Sequence, residues 1–189
     1  MRVLFVQGVS RYGGALKSLF ITMKLLGKEG VTPTLVTSRE CKLTEDCKKS
    51  NIRYFTFPIG MWRKVKSWPF LPITIYRLVK IVKRENIDII HCNTLWDVPY
   101  GILTGFITGK PVIAHLRGTH TRDLIRKYLI KLADRIFSVS FSALKHLDPT
   151  EIMKSKVIYN PQEEFPAITK IDKERETFTI SIIGRIDPY

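Results

Sequence analysis

Gly13-Gly14 sits between an apolar run, Arg2-Val3-Leu4-Phe5-Val6, and a helix-period segment that starts near Ala15. Paired glycines at that place let backbone approach an anion closely. The helix that follows supplies free N–H groups and a partial positive charge. The chemistry on offer is a phosphate cradle. Two common nucleotide motifs are excluded by the residues themselves. Gly8 and Gly13 have the spacing of a P-loop, but Gly14 and Ala15 stand where Lys and Ser or Thr are required. The dinucleotide fingerprint fails as well, because Val9-Ser10 follows Gly8. A plain tight turn from strand to helix is the other reading. Two further stretches, His91-Cys92-Asn93-Thr94 and His115-Leu116-Arg117-Gly118, also follow apolar runs.

The elements that must position these residues alternate regularly. Strand-like runs fall at 2–6, 34–37, 53–57, 87–92, 111–116, 135–140, 156–159 and 177–183. Helix-period segments fall at 14–29, 43–50, 71–85, 96–107 and 121–133, with a short one near 141–147. Such alternation predicts an α/β fold, a Rossmann-like parallel sheet flanked by helices. Ligands of these sheets bind outside the strand C-termini, where the strand order switches. All three chemical stretches lie at such ends. The expected organisation is one domain over 1–162, a polar linker over 163–176 with Pro166 and mixed charge, and a new strand that opens a second domain over 177–189.

A net charge of +14 is placed unevenly. Ten Lys or Arg and no acidic residue lie between Cys47 and Arg84, so a basic partner surface belongs to the first half. No apolar run reaches the length of a membrane span, and no secretory leader is expected. Cys41, Cys47 and Cys92 lack metal-ligand spacing and read as reduced cytosolic thiols. Ser138 and Ser140 lack a glycine elbow and are not read as nucleophiles. Asp134 is read as structural.

Six blocks in order resemble the family-4 (group 1) glycosyltransferases of GT-B fold. They are Gly13-Gly14-Ala15, Ile89-Ile90-His91, Val112-Ile113-Ala114-His115, 133–140, Val157-Ile158-Tyr159-Asn160-Pro161 and Ile183-Gly184-Arg185. The resemblance implies two Rossmann-like domains across a cleft, the first on the acceptor side, the second binding a nucleotide-sugar donor. It implies sugar transfer with retention of configuration, with no cofactor and no metal. Gly13 and Gly14 would lie against the donor's diphosphate. His115 would sit close to the transferred sugar as the catalytic histidine. Neutral, it would hydrogen-bond a sugar hydroxyl; protonated, it would stabilise the leaving diphosphate. Arg117 would contact the anion through its planar donor fork, and Arg185 would lie near the donor. His91 and Asn93 would line the acceptor side; the competing reading is that Asn93 or Thr94 only caps the next helix. Asn160-Pro161 departs from the family's Asn-Gly.

The segment Trp62-Arg63-Lys64-Val65-Lys66-Ser67-Trp68 mixes cations with indoles ahead of a helix carrying Arg77, Lys80 and Arg84. Indoles favour the membrane interface, and each cation near an anionic leaflet contributes about 1 kcal/mol. Trp62, Arg63, Lys64, Lys66 and Trp68 are candidate membrane contacts. The competing reading packs the indoles beneath a solvated helix. Nucleic acid is not expected, because no nucleic-acid module is present. The second domain's diphosphate-gripping Lys and Arg and its paired glutamates are not in this sequence. The expectation is therefore the N-terminal half of a cytoplasmic, peripherally bound glycosyltransferase, inactive alone. Its partners would be a nucleotide-sugar, a saccharide or lipid-linked acceptor, and a C-terminal domain in cis or on another chain. The alternative is a stand-alone membrane- or acceptor-binding module that pairs with a separate donor-binding chain.

Overall fold

The computed structural model describes residues 1–9 and 13–162, and for Val65 and Lys66 the backbone only. The expected linker, the strand at 177–183 and Arg185 lie outside the described residues.

Seven parallel strands form one sheet among the described residues: β1 (Arg2–Gln7), β2 (Thr32–Thr37), β3 (Arg53–Thr56), β4 (Ile89–Cys92), β5 (Val112–Leu116), β6 (Arg135–Ser138) and β7 (Ser155–Val157). Their order is β3-β2-β1-β4-β5-β6-β7. The helices are α1 (Gly14–Lys28), α2 (Lys42–Lys49), α3 (Leu71–Arg84), α4 (Val98–Thr108), α5 (Arg122–Lys127) and α6 (Pro149–Met153).

Alternation along β1 assigns its two faces. Val3 and Phe5 pack under Leu16, Leu19 and Met23 of α1 and Leu43 of α2. Leu4 and Val6 face the other way, into a core with Leu78 and Val82 of α3, Tyr100 and Ile102 of α4, and Ile125 of α5. Gly101 and Gly105 bring α4 close to the sheet. A Cβ on Gly101 would lie 2.1 Å from Cys92 Sγ, and one on Gly105 2.4 Å from Val112 Cγ2.

The segment 121–133 is not one helix. Ile125, Tyr128 and Ile130 are all buried. Positions 128 and 130 point to opposite sides of a continuous helix, so burying both requires a break. Leu129 supplies it at φ 59, and a 3₁₀ turn over Ile130–Leu132 follows. The expected short helix near 141–147 is a 3₁₀ turn over Ser142–Leu144. Helix α6 was not expected, although its signal is local. Asp148 caps it, accepting from the Glu151 N–H at 2.9 Å, and Pro149 occupies the first turn.

The chain runs β1, β2, β3 outward on one side and then crosses to β4 on the other side of β1. The switch point therefore lies between β1 and β4, and its crevice opens at their C-terminal ends.

Candidate functional site

At that crevice the ends of β1, β4 and β5 supply Gln7, His91, Asn93, His115 and Arg117. The Asn93 amide donates to Gln7 Oε1 at 2.5 Å. Arg117 Nη2 donates to Asn93 Oδ1 at 2.5 Å, and Nη1 donates to Asn160 Oδ1 at 2.6 Å and to Ser18 Oγ at 2.9 Å. One guanidinium thus ties α1, the end of β4 and the end of β7 together. These partners are all uncharged. Burial lowers Arg117 to about 10, which leaves it cationic at neutral pH. Its positive charge stands beside the α1 N-terminus with no carboxylate among those partners.

His91 and His115 face each other across β4 and β5, His91 Nε2 to His115 Nδ1 at 3.2 Å, with one nitrogen donating. Phe5 lies 5.0 Å from the His91 ring, and Phe137 packs edge-on to both imidazoles. Burial first, then the Arg117 charge, pushes His91 down to about 3. Burial, Arg117 and His91 push His115 to about 2. Both rings are therefore neutral at physiological pH. Among the described residues, His115 Nε2 is buried with no hydrogen-bond partner. Leaving such an atom unsatisfied costs about 1–3 kcal/mol.

Gly13 is the N-cap of α1 in extended conformation, with no side-chain cap and no acidic residue in the first turn. Among the described residues, a Cβ on Gly13 or Gly14 would meet nothing within 4 Å, so none of them demands a glycine at either place. Gly8 differs. Its Cβ would lie 2.9 Å from Asp97 Oδ1, and its N–H donates to that same oxygen at 2.7 Å. The other oxygen, Oδ2, accepts from Thr94 N at 3.1 Å and Thr94 Oγ1 at 2.7 Å. Burial raises the Asp97 carboxyl to about 6, while these bonds pull it back. Asp97 fixes the start of the β1–α1 loop.

Thr94, not Asn93, caps the 3₁₀ turn over Leu95–Asp97 that leads into α4. Asn93 and His91 belong to the crevice. Asp134 accepts from Val112 N at 2.7 Å, and Ser138 donates to the Ser140 carbonyl at 2.8 Å, both structural roles. Sequence reasoning missed Gln7, Ser18 and Asp97. The Thr94-x-x-Asp97 capping signal could have found the last.

The indoles of the basic segment part company. Trp62 is half-buried and packs edge-on to Tyr100 at 6.3 Å against the core. Trp68 is 56% exposed, beside exposed Phe70, Ile73 and Tyr76. Arg63 and Lys64 are exposed, and Arg63 lies 5.8 Å over the Trp96 ring. Of Lys66 only the backbone is described. No helix of the described residues is long and apolar enough to cross a membrane.

Two clefts lie at opposite ends of the strands. The larger, about 610 Å³, opens beside Arg2, Thr32 and Arg53 at the N-terminal strand ends, away from the switch point. The smaller, about 290 Å³, lies beside the β1–α1 loop, where Gly8 and Asp97 meet Arg39, Arg63, Trp96 and Tyr128.

Solved structures share this fold. A glycosyltransferase from Rickettsia africae superposes with TM-score 0.67 at 18% identity, covering 84% of this chain and 42% of that one. Anabaena Alr3699/HepE, solved with UDP, gives 0.66 at 18%, covering 86% and 45%. The lipopolysaccharide outer core galactosyltransferase WaaB gives 0.63 at 17%, covering 90% and 50%. The chain thus spans about half the length of these proteins. No curated protein sequence matches it. The sequence profile of Glycosyltransferase Family 4 matches residues 12–161, and with the parallel sheet and its switch-point crevice in place, the chain belongs to that family.

Proposed function

We propose that this chain is the acceptor-side half of a retaining glycosyltransferase that moves a sugar from a nucleotide-sugar to a saccharide or lipid-linked acceptor. One observation carries the reading. Among the described residues, the switch-point crevice holds a cation whose hydrogen-bond partners are uncharged, next to a helix N-terminus with no side-chain cap and a neutral histidine with a buried, unpartnered nitrogen. A sugar diphosphate fits each in turn. Its phosphates meet the α1 N–H groups and Arg117, where charge on the leaving group is stabilised by donors already in place. A sugar hydroxyl satisfies His115. His91 holds that ring in position, and Asn93 holds the Arg117 fork. HepE, a structural neighbour, has been solved with UDP-glucose, which supports a nucleotide-sugar donor. Cell-surface polysaccharide synthesis is the setting in which such an acceptor arises. The exposed Trp68, Phe70, Ile73 and Tyr76, flanked by Lys64 and Arg77, would hold the enzyme on an anionic membrane carrying it.

The donor's nucleotide would be gripped by a second domain, in cis or on another chain, so this half alone transfers no sugar. Incubating the 189-residue chain with UDP-, GDP- and dTDP-sugars and a saccharide acceptor tests this. Turnover at enzymatic rates by the chain alone would contradict the half-site reading.

A further inference from the structure

Among the described residues, β3 is a free edge of the sheet. The Phe57 N–H donates to the Thr37 carbonyl of β2 at 3.1 Å. Backbone groups alternate sides along a strand, so those of Tyr54 and Thr56 point away from β2. Thr56 is exposed. Such an edge is a template for another strand. On the α3 side of this edge lies a groove of about 410 Å³, between Phe55 and Phe57 below and Arg77, Lys80 and Arg84 of α3 above. Three cations line it and no carboxylate does. The Arg77 guanidinium lies 5.6 Å over the Phe57 ring, and that of Arg84 5.9 Å over Phe55. Held through their faces, both keep in-plane N–H groups for a partner. Arg84 gives its Nε to Glu85 at 3.3 Å. Among the described residues, no ion pair joins Arg77 or Lys80 to a carboxylate.

We propose that the β3 edge and this groove bind an extended acidic segment of a partner protein, which adds to β3 as a strand and carries Asp or Glu at alternate positions. Every second side chain of an added strand stands on the α3 side, about 7 Å from the next. Lys80 and Arg84 are separated by about 6 Å along the helix axis, so two successive carboxylates on that side meet two successive cations. An anionic membrane is the competing occupant, because Arg77 also flanks the exposed Ile73 and Tyr76. A lipid surface would use the cations but has no strand to pair with the outward backbone of Thr56. The cations and the unpaired edge lie side by side, and a peptide engages both. This surface is separate from the switch-point crevice, and the inference does not rest on the glycosyltransferase reading.

The test is an NMR titration of the 189-residue chain with an eight-residue peptide that alternates glutamate and valine. The expected result is that the Thr56 amide shifts and gains protection from solvent exchange while the Arg77 and Arg84 Nε–H signals move with it. The same peptide with glutamine for glutamate binds at least about tenfold more weakly, through loss of the charge pairs. A glutamate–valine peptide N-methylated at alternate amides, unable to pair along the edge, is weakened similarly. The double change Arg77→Gln/Lys80→Gln, at two exposed side chains, lowers affinity for the acidic peptide toward that for the glutamine peptide and leaves the latter unchanged. Equal binding of the glutamine or the N-methylated peptide, or an unmoved Thr56 amide, overturns the proposal. Vesicles of anionic lipid moving the arginine signals where the acidic peptide does not would also overturn it and assign the cations to a membrane.

Discussion

The buried imidazole pair makes the protein's stability fall in mild acid by an amount that can be worked out. In the native state His91 sits at about 3 and His115 at about 2, chiefly through burial. In the unfolded chain both titrate near ~6.5. Between those values the unfolded chain binds more protons than the native one. Stability is intact above pH ~6.5 and is lost as pH falls toward ~3. Each imidazole removes about 1.4 kcal/mol per pH unit, hence about 2 kcal/mol between pH 6.5 and 5, and about 4 kcal/mol for the pair. Asp97 works in the opposite sense. Its folded value is raised to about 6, so it favours the folded state as pH falls from there toward its unfolded value. It offsets about one histidine's slope below pH 6. Comparing variants removes this common background. Urea denaturation of wild type and His115→Gln across pH 5–7 should show wild type losing about 2 kcal/mol more. The double change His91→Gln/His115→Gln should remove about 4 kcal/mol of acid loss relative to wild type over that range, leaving the opposing contributions of Asp97 and of His120, which burial also lowers. Equal slopes in wild type and His115→Gln would refute the buried, neutral pair.

Packing predictions separate two glycines. Gly101→Ala forces a methyl to within 2.1 Å of Cys92 Sγ and should destabilise by about 1–3 kcal/mol in denaturant melts. Gly27→Ala, in open space on α1, should instead stabilise by about 0.5–1 kcal/mol. Gly13→Ala should leave the melting curve within about 0.5 kcal/mol of wild type, because its backbone is extended and its Cβ unopposed, while diphosphate binding measured by calorimetry weakens. Vesicles with anionic lipid should sediment the chain at low salt and release it as salt rises. Trp68→Ala should weaken that binding and Lys64→Gln should reduce its salt dependence; absence of binding at low salt would remove the membrane proposal.

Strand and helix periodicity made the sheet legible, because a parallel sheet covered on both faces needs near-continuous apolar runs such as Ile87–Ile90. What periodicity could not convey is which side chains meet across the sheet. Arg117, Asn93, Ser18 and Asn160 are far apart in sequence, and only the crossover from β3 to β4 brings them together. Neither their spacing nor their type announces the Arg117 cluster. The His91–His115 pairing is likewise a register effect, since both rings must project from the same face of neighbouring strands. Trp62 and Trp68 look equivalent in sequence, six residues apart in one basic stretch. Trp62 is half-buried against Tyr100 and Trp68 is exposed, with the 3₁₀ turn over Val65–Phe70 starting between them. The helix break at Leu129 was hidden because no glycine or proline marks it.

The central claim is that the crevice between β1, β4 and β5 receives the donor's diphosphate. The direct measurement is a titration of the chain with UDP and with inorganic pyrophosphate, following the Gly13 and Gly14 amides and the Arg117 Nε–H by NMR. The account predicts that both ligands shift these three signals together and that Arg117→Gln abolishes the effect while the fold is retained. Shifts confined to the basic surface of α3, or an unchanged affinity in Arg117→Gln, would contradict it.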